Sequence, residues 1–216
     1  MISKNLKKRI ITSIALLFSI FLIFKYNYVL IYSLLVLGVL SFLEFINLSK
    51  EIINKKKYFF LINVIFGIYI FIFCYIFLIF SNIFQFKIML FILLLACVAS
   101  DIGGFVVGKI FKGPKLSKIS PKKTIAGAFG SIIFTCITLS CLIFYFTNHF
   151  TFKILAMGIV TSIACQTGDL FFSFLKRKAK LKDTGNFLPG HGGVLDRLDS
   201  VFLGLPVGLI TLTLIY

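Results

Sequence analysis

Across 216 residues, 59% of the side chains are apolar and only 14% are charged, where a soluble domain of this size carries about 45–50% and about 25%. So much Phe, Ile and Leu cannot be housed in one small core, and most of it must face lipid. The 23 Lys and Arg against 7 Asp and Glu give a net charge of +16, but they fall in short loops between apolar runs. Positive-inside topology and anionic substrates account for that pattern better than nucleic acid does, and nucleic acid is set aside as a partner.

Lys4, Lys7, Lys8 and Arg9 precede the first apolar run, Ile10 to Phe24. No small-residue cleavage site follows, so the run reads as a retained membrane helix and not a signal peptide. Six further runs follow: Tyr28 to Ile46, Tyr58 to Phe80, Lys87 to Gly108, Ile125 to Phe146, Phe152 to Leu175, and Asp199 to Tyr216. Most reach the ~20 residues needed to cross the hydrocarbon core, and a helix is the form that satisfies their backbone there. The first is short, and Pro206 should bend the last. The expected fold is an all-α polytopic bundle of about seven spans, a single integral membrane domain over residues 1–216 without internal repeats. With the N-terminus in the cytoplasm, alternation leaves all but Lys25, Lys87 and Lys153 of the 23 basic residues inside. Cys74, Cys97, Cys136, Cys141 and Cys165 lie in apolar runs, form no metal pattern, and read as small hydrophobes.

Asp101 and Asp169 stand inside predicted spans. Asp101 lies eight residues before Lys109, and Asp169 lies seven before Lys176, which sets both roughly 10–12 Å below one face. Intramembrane carboxylates are costly and mark a pathway or a site; the plainer alternative is a structural pair with a lysine. From Gln166 the chain reads QTGDLFFSFLKRKAKLKDTGNFLPGHGGVLDRLDS. Asp169 and Ser173 share a helical face, with Lys176 nearby. Lys176, Arg177, Lys178, Lys180 and Lys182 form a dense cationic segment. Gly185, Pro189, Gly190, Gly192 and Gly193 make a loop whose backbone can approach a ligand closely. Asp196 and Asp199 follow at the start of the last helix, with Arg197 between them.

These parts suit phosphate chemistry. Carboxylates on two helices can hold Mg²⁺ while phosphates and water complete its shell. Lys and Arg can take the remaining phosphate oxygens, and glycine-rich backbone can offer N–H donors. His191 is a candidate phosphate donor or general acid for a leaving pyrophosphate, or else a loop-fixing hydrogen-bonding group.

The run from Ser173 to Asp199 resembles the signature of the phosphatidate cytidylyltransferases. The matching positions are Ser173, Lys176–Arg177, Lys182–Asp183, Gly185, Leu188–Pro189, His191–Gly192–Gly193, Asp196–Arg197 and Asp199; Gln166–Thr167–Gly168–Asp169 is similar too. A weaker second stretch resembles the family's other cytoplasmic motif: Asp101–Ile–Gly–Gly–Phe105, Gly108–Lys109, Ser120–Pro121–Lys122–Lys123–Thr124 and Gly127. That motif usually ends Thr-Trp-Glu-Gly, and here Ile125 and Ala126 replace the Trp and Glu. The chain is short for the family, which implies one or two fewer N-terminal helices.

The resemblance implies transfer of CMP from CTP to phosphatidic acid, giving CDP-diacylglycerol and pyrophosphate. It implies a catalytic group of Asp169, Lys176, Arg177, Asp196, Asp199 and His191, with Asp169 and Asp196 as ligands of a Mg²⁺ cofactor. Asp101, Lys122, Lys123, Ser173, Lys182, Asp183, Gly192, Gly193 and Arg197 would bind substrate. It places the protein in a bacterial inner membrane, its site facing the cytoplasm, with CTP, phosphatidic acid and membrane lipid as partners and a homodimer left open. The rivals are a CTP-dependent polyprenol kinase and a cytidylyltransferase for another lipid phosphate. A transporter, with Asp101 and Asp169 lining a path, is disfavoured because the outer loops carry almost no ionisable groups. No role follows for the first two helices.

Overall fold

The computed structural model describes residues 18–117, 119–185, 187 and 192–215. Six long helices dominate: α1 Asn27–Ile52, α2 Lys56–Asn82, α3 Phe84–Phe111, α4 Ile125–Thr147, α5 Phe152–Lys178 and α6 Leu195–Ile215. Residues 18–25 are helical as well, but the first predicted run, from Ile10, lies largely outside the described residues. All six long helices have the length and composition to cross a membrane. Large apolar side chains stand out from them, with Tyr28 88%, Phe152 81% and Phe71 71% exposed. In water each such side chain forfeits about 1.5–3 kcal/mol of burial, and lipid removes that cost. The chain is an all-α integral membrane protein.

Local chemistry sets the helix ends. Thr124 caps α4 by accepting the N–H of Gly127 at 3.1 Å, and Asn148, in the left-handed region, closes its other end. Within the helices, hydroxyls in apolar surroundings donate one turn back: Thr135 to Ser131 O, Thr138 to Phe134 O, and Thr211 to Val207 O.

The chain forms two compact units, Met1–Ser81 with Leu175–Arg197, and Asn82–Phe174 with Leu198–Tyr216. In the first, α1 packs on α2. A Cβ on Gly67 would lie 3.1 Å from the Phe42 ring, Phe45 stacks on Phe66, and Ser49 donates to Asn63 at 3.1 Å.

In the second unit, glycine lets helix backbones touch. A Cβ on Gly103 would fall 2.6 Å from the Gly130 carbonyl oxygen, and one on Gly127 2.7 Å from that of Gly104. Gly208 of α6 sits against Leu93 and Thr161, and Gly204 against Cys97 and Cys165. This is the small-residue packing that membrane helices use when no hydrophobic effect drives them together. Cys97 and Cys165 are free and buried, in keeping with small hydrophobes.

Candidate functional site

In the second unit, the loop after α3 folds back on itself. Lys112 and Gly113 both have positive φ, the N–H of Leu116 donates to Lys123 O at 2.8 Å, and that of Ile125 donates to Pro114 O at 3.0 Å. Thr124 then starts α4. The closure carries Lys123 onto Asp169 of α5, where the two form an ion pair. Ser173, one turn on, donates to the other Asp169 oxygen at 3.3 Å. The carboxylate and hydroxyl expected to converge do so, and the ammonium beside them is that of Lys123.

Asp101 also meets a partner from the stronger motif, for Ser200 Oγ donates to its Oδ2 at 2.7 Å. Asp101 is exposed at the protein surface. Asp199 is buried and accepts the N–H of Ser200 at 2.9 Å. Its backbone carbonyl lies where a Cβ on Gly168 would be, so the glycine of the Gln166–Asp169 stretch lets α5 and α6 touch. Residues of both motif regions therefore meet within this unit.

In the first unit, α5 ends on a Schellman turn. Leu181 N–H donates to Lys176 O at 2.9 Å, Lys180 N–H donates to Arg177 O at 3.1 Å, and Lys180 takes positive φ. The chain then returns to α6. Lys176 Nζ donates to Asp196 Oδ1 at 2.7 Å, while Asp196 Oδ2 accepts the N–H groups of Thr184 at 2.8 Å and Gly193 at 3.1 Å. Asp196 thus binds both flanks of the loop whose tip, Leu188 to His191, lies outside the described residues. The proposed chemistry of His191 therefore lies outside them as well. Gly192 has φ +83, and a Cβ there would stand 3.2 Å from Asp196 Oδ2. Arg177, Lys182, Asp183 and Arg197 are exposed, as is Lys122 of the other unit.

A residue that sequence reasoning missed holds the same loop. Glu44 of α1 is 1% exposed. Its Oε2 accepts the Thr184 hydroxyl at 2.8 Å and Leu195 N–H at 2.9 Å, and its Oε1 accepts Val194 N–H at 2.9 Å. A Cβ on Gly185 would fall 2.5 Å from Glu44 Oε1, and one on Gly193 would collide with Glu44 and Thr184. Depth was the available signal: Glu44, Asp101 and Asp169 lie eight, ten and nine residues before the ends of α1, α3 and α5.

The donor chemistry fits Mg²⁺. Asp169 and Asp196 are hard oxygen donors, and each already faces an ammonium, that of Lys123 or Lys176. Among the described residues, no three His, Cys, Asp or Glu side chains gather into a metal-holding group.

Six apolar spans with ion pairs at Asp169 and Asp196 define a polytopic membrane protein. The chain belongs to the cytidylyltransferase family, whose model matches residues 3–215. It is 40% identical over 128 residues to a phosphatidate cytidylyltransferase of Rickettsia felis, covering 54% of this chain and 56% of that one. A Helicobacter pylori protein of the same name is 39% identical over 112 residues, covering 52% of this chain and 42% of its own. One from Mycobacterium leprae is 38% identical over 128 residues, covering 58% and 40%. The matches span about half the length of these relatives or less.

Proposed function

We propose that the chain, acting as a single catalytic domain, transfers CMP from CTP to phosphatidic acid, releasing pyrophosphate and leaving CDP-diacylglycerol in the membrane. The observation that carries this reading is the identity with phosphatidate cytidylyltransferases, and the acid–base clusters at Asp169 and Asp196 support it. The proposed topology has seven spans, counting the run from Ile10, with N-terminus and site on the cytoplasmic side of a bacterial inner membrane. The distribution of basic residues supports that orientation.

The phosphate of phosphatidate, judged by protein phosphomonoesters, has a second pKa near 6, so its oxygen is largely ionised at neutral pH. Attack on the α-phosphorus forms one P–O bond and breaks the bond to the bridging oxygen, and pyrophosphate leaves. Little base catalysis is needed. The obstacle is bringing two anions together in line, so charge neutralisation and positioning dominate.

Lys123, Lys176, Arg177 and Arg197 supply cationic donors for phosphate, with Lys122 and Lys182 at the exposed margin. Asp169 and Asp196 are the proposed Mg²⁺ ligands; the ion, when bound, neutralises triphosphate charge and stabilises the leaving group. Ser173 orients Asp169, and Thr184 and Gly193 orient Asp196.

The test uses purified protein in lipid nanodiscs with CTP labelled at the α- or the γ-phosphate and phosphatidic acid, a polyprenol or a polyprenyl phosphate as acceptor. The α-label should enter lipid with phosphatidic acid, and mass spectrometry should find CDP-diacylglycerol. Entry of the γ-label would establish a kinase instead.

A further inference from the structure

We propose that Glu44 is a positioning residue for the transfer reaction: from within α1 it holds the side chain of Thr184 and the backbone of Val194 and Leu195 and, through them, the carboxylate of Asp196. The inference rests on the proposed function and on contacts inside one unit.

A carboxylate in an apolar helix carries a large desolvation cost unless hydrogen bonds replace its water. Glu44 finds three donors: the hydroxyl of Thr184 and the N–H groups of Val194 and Leu195. Two of them are unsatisfied N–H groups at the start of α6, so Glu44 caps that helix from a distant segment. The positive end of the helix dipole favours its charge.

The same stretch of backbone serves Asp196. Thr184 gives its hydroxyl to Glu44 and its N–H to Asp196, while Gly193 N–H goes to Asp196 and the next N–H, Val194, goes to Glu44. The two carboxylates thus grip neighbouring donors of one loop. Gly185 and Gly193 leave no room for side chains against Glu44. Glu44 shares Thr184 and the Gly193–Val194 backbone with Asp196, so its effect passes through Asp196.

Glu44→Gln keeps the shape but replaces one acceptor oxygen with an NH₂ that must face an N–H or a hydroxyl donor. Two measurements separate positioning from mere folding. First, hydrogen–deuterium exchange of peptides containing Val194 and Leu195, without nucleotide or metal, should accelerate about tenfold or more in Glu44→Gln. Second, turnover should fall roughly 10- to 100-fold, with the Mg²⁺ concentration for half-maximal activity rising severalfold. A smaller folded fraction would lower the rate without moving that concentration.

If Glu44→Gln does not fold, Thr184→Val removes one donor of the same cluster and should move both readings in the same direction, with Thr184→Ser restoring them. Unchanged exchange overturns the proposal. So does faster exchange with unaltered rate and Mg²⁺ dependence. Absence of turnover in the unmodified protein would remove the positioning claim along with the proposed function, while the exchange result would still decide whether Glu44 holds the loop.

Discussion

Lys123, in the loop between α3 and α4, forms an ion pair with Asp169 of α5. The pair joins the weaker motif region to the stronger one, 46 positions apart in the sequence. Both side chains remain about a quarter to a third exposed, so a bound anion or cation could exchange for either partner.

Lys123→Ala should therefore cost little stability, at most about 1 kcal/mol for a partly solvated pair, yet lower kcat/KM for CTP by at least about tenfold. Lys123→Arg should recover part of it. Steady-state kinetics alongside thermal unfolding checks this. A Lys123→Ala protein that turned over normally would reduce the pair to a structural contact.

Asp101 and Ser200 allow charge to be separated from hydrogen bonding. Asn at position 101 can still accept from Ser200, whereas Ser200→Ala removes the 2.7 Å bond and leaves the carboxylate. If the negative charge matters, Asp101→Asn should impair turnover more than Ser200→Ala. Ala126→Glu, which restores a side chain usual in the resembled family, should be tolerated. Full activity in Asp101→Asn would make Asp101 an ordinary surface partner of α6.

The spans were legible because lipid imposes a length and an apolar composition that few sequences hide. Their ends were less so. α3 runs past Gly108 to Phe111, with Lys109 over the Phe105 ring, and α1 continues through Ser49, Lys50 and Glu51 to Ile52. Polar residues at a membrane surface do not stop a helix, because its backbone bonds are internal. The Asp169–Ser173 contact follows from i, i+4 spacing. The Glu44–Thr184 contact could not be read from spacing, since the two lie 140 residues apart.

Glycine packing gives a stability prediction. Gly103→Ala would press a methyl to 2.6 Å from both the Gly130 oxygen and the Phe134 Cβ, and should cost about 1–3 kcal/mol. Gly38→Ala meets its nearest atom, Ile70 Cγ2, at 3.3 Å and should be tolerated far better. Thermal unfolding in one detergent compares them, and equal Tm values would mean that α3 and α4 separate easily.

Topology is tested by single-cysteine labelling in a background lacking the native cysteines. Positions beside Lys55, Lys115 and Lys180, in the connections after α1, α3 and α5, should label from the cytoplasm. Positions beside Gln85 and Asn148 should label from the far side. Outside labelling near Lys180 would deny CTP its access and end the proposed scheme.

The metal prediction follows from how Asp196 is held. One of its oxygens accepts Lys176 and the other accepts two backbone N–H groups. In Asp196→Asn, an NH₂ must point either at an ammonium or at those two N–H donors, so the negative charge is lost together with either the Lys176 contact or the loop contacts. Turnover should fall by at least about a hundredfold. Asp169→Asn should do the same by removing the charge beside Lys123. Lys176→Ala should cost less, because Asp196 keeps both backbone donors and Arg177 and Lys178 remain nearby. Activity of the unmodified protein should require Mg²⁺ or Mn²⁺ and vanish with EDTA. Ca²⁺, with longer and looser coordination, should support it poorly. Turnover without divalent metal, or substantial activity in either aspartate variant, would defeat the ligand assignment while leaving the family membership intact.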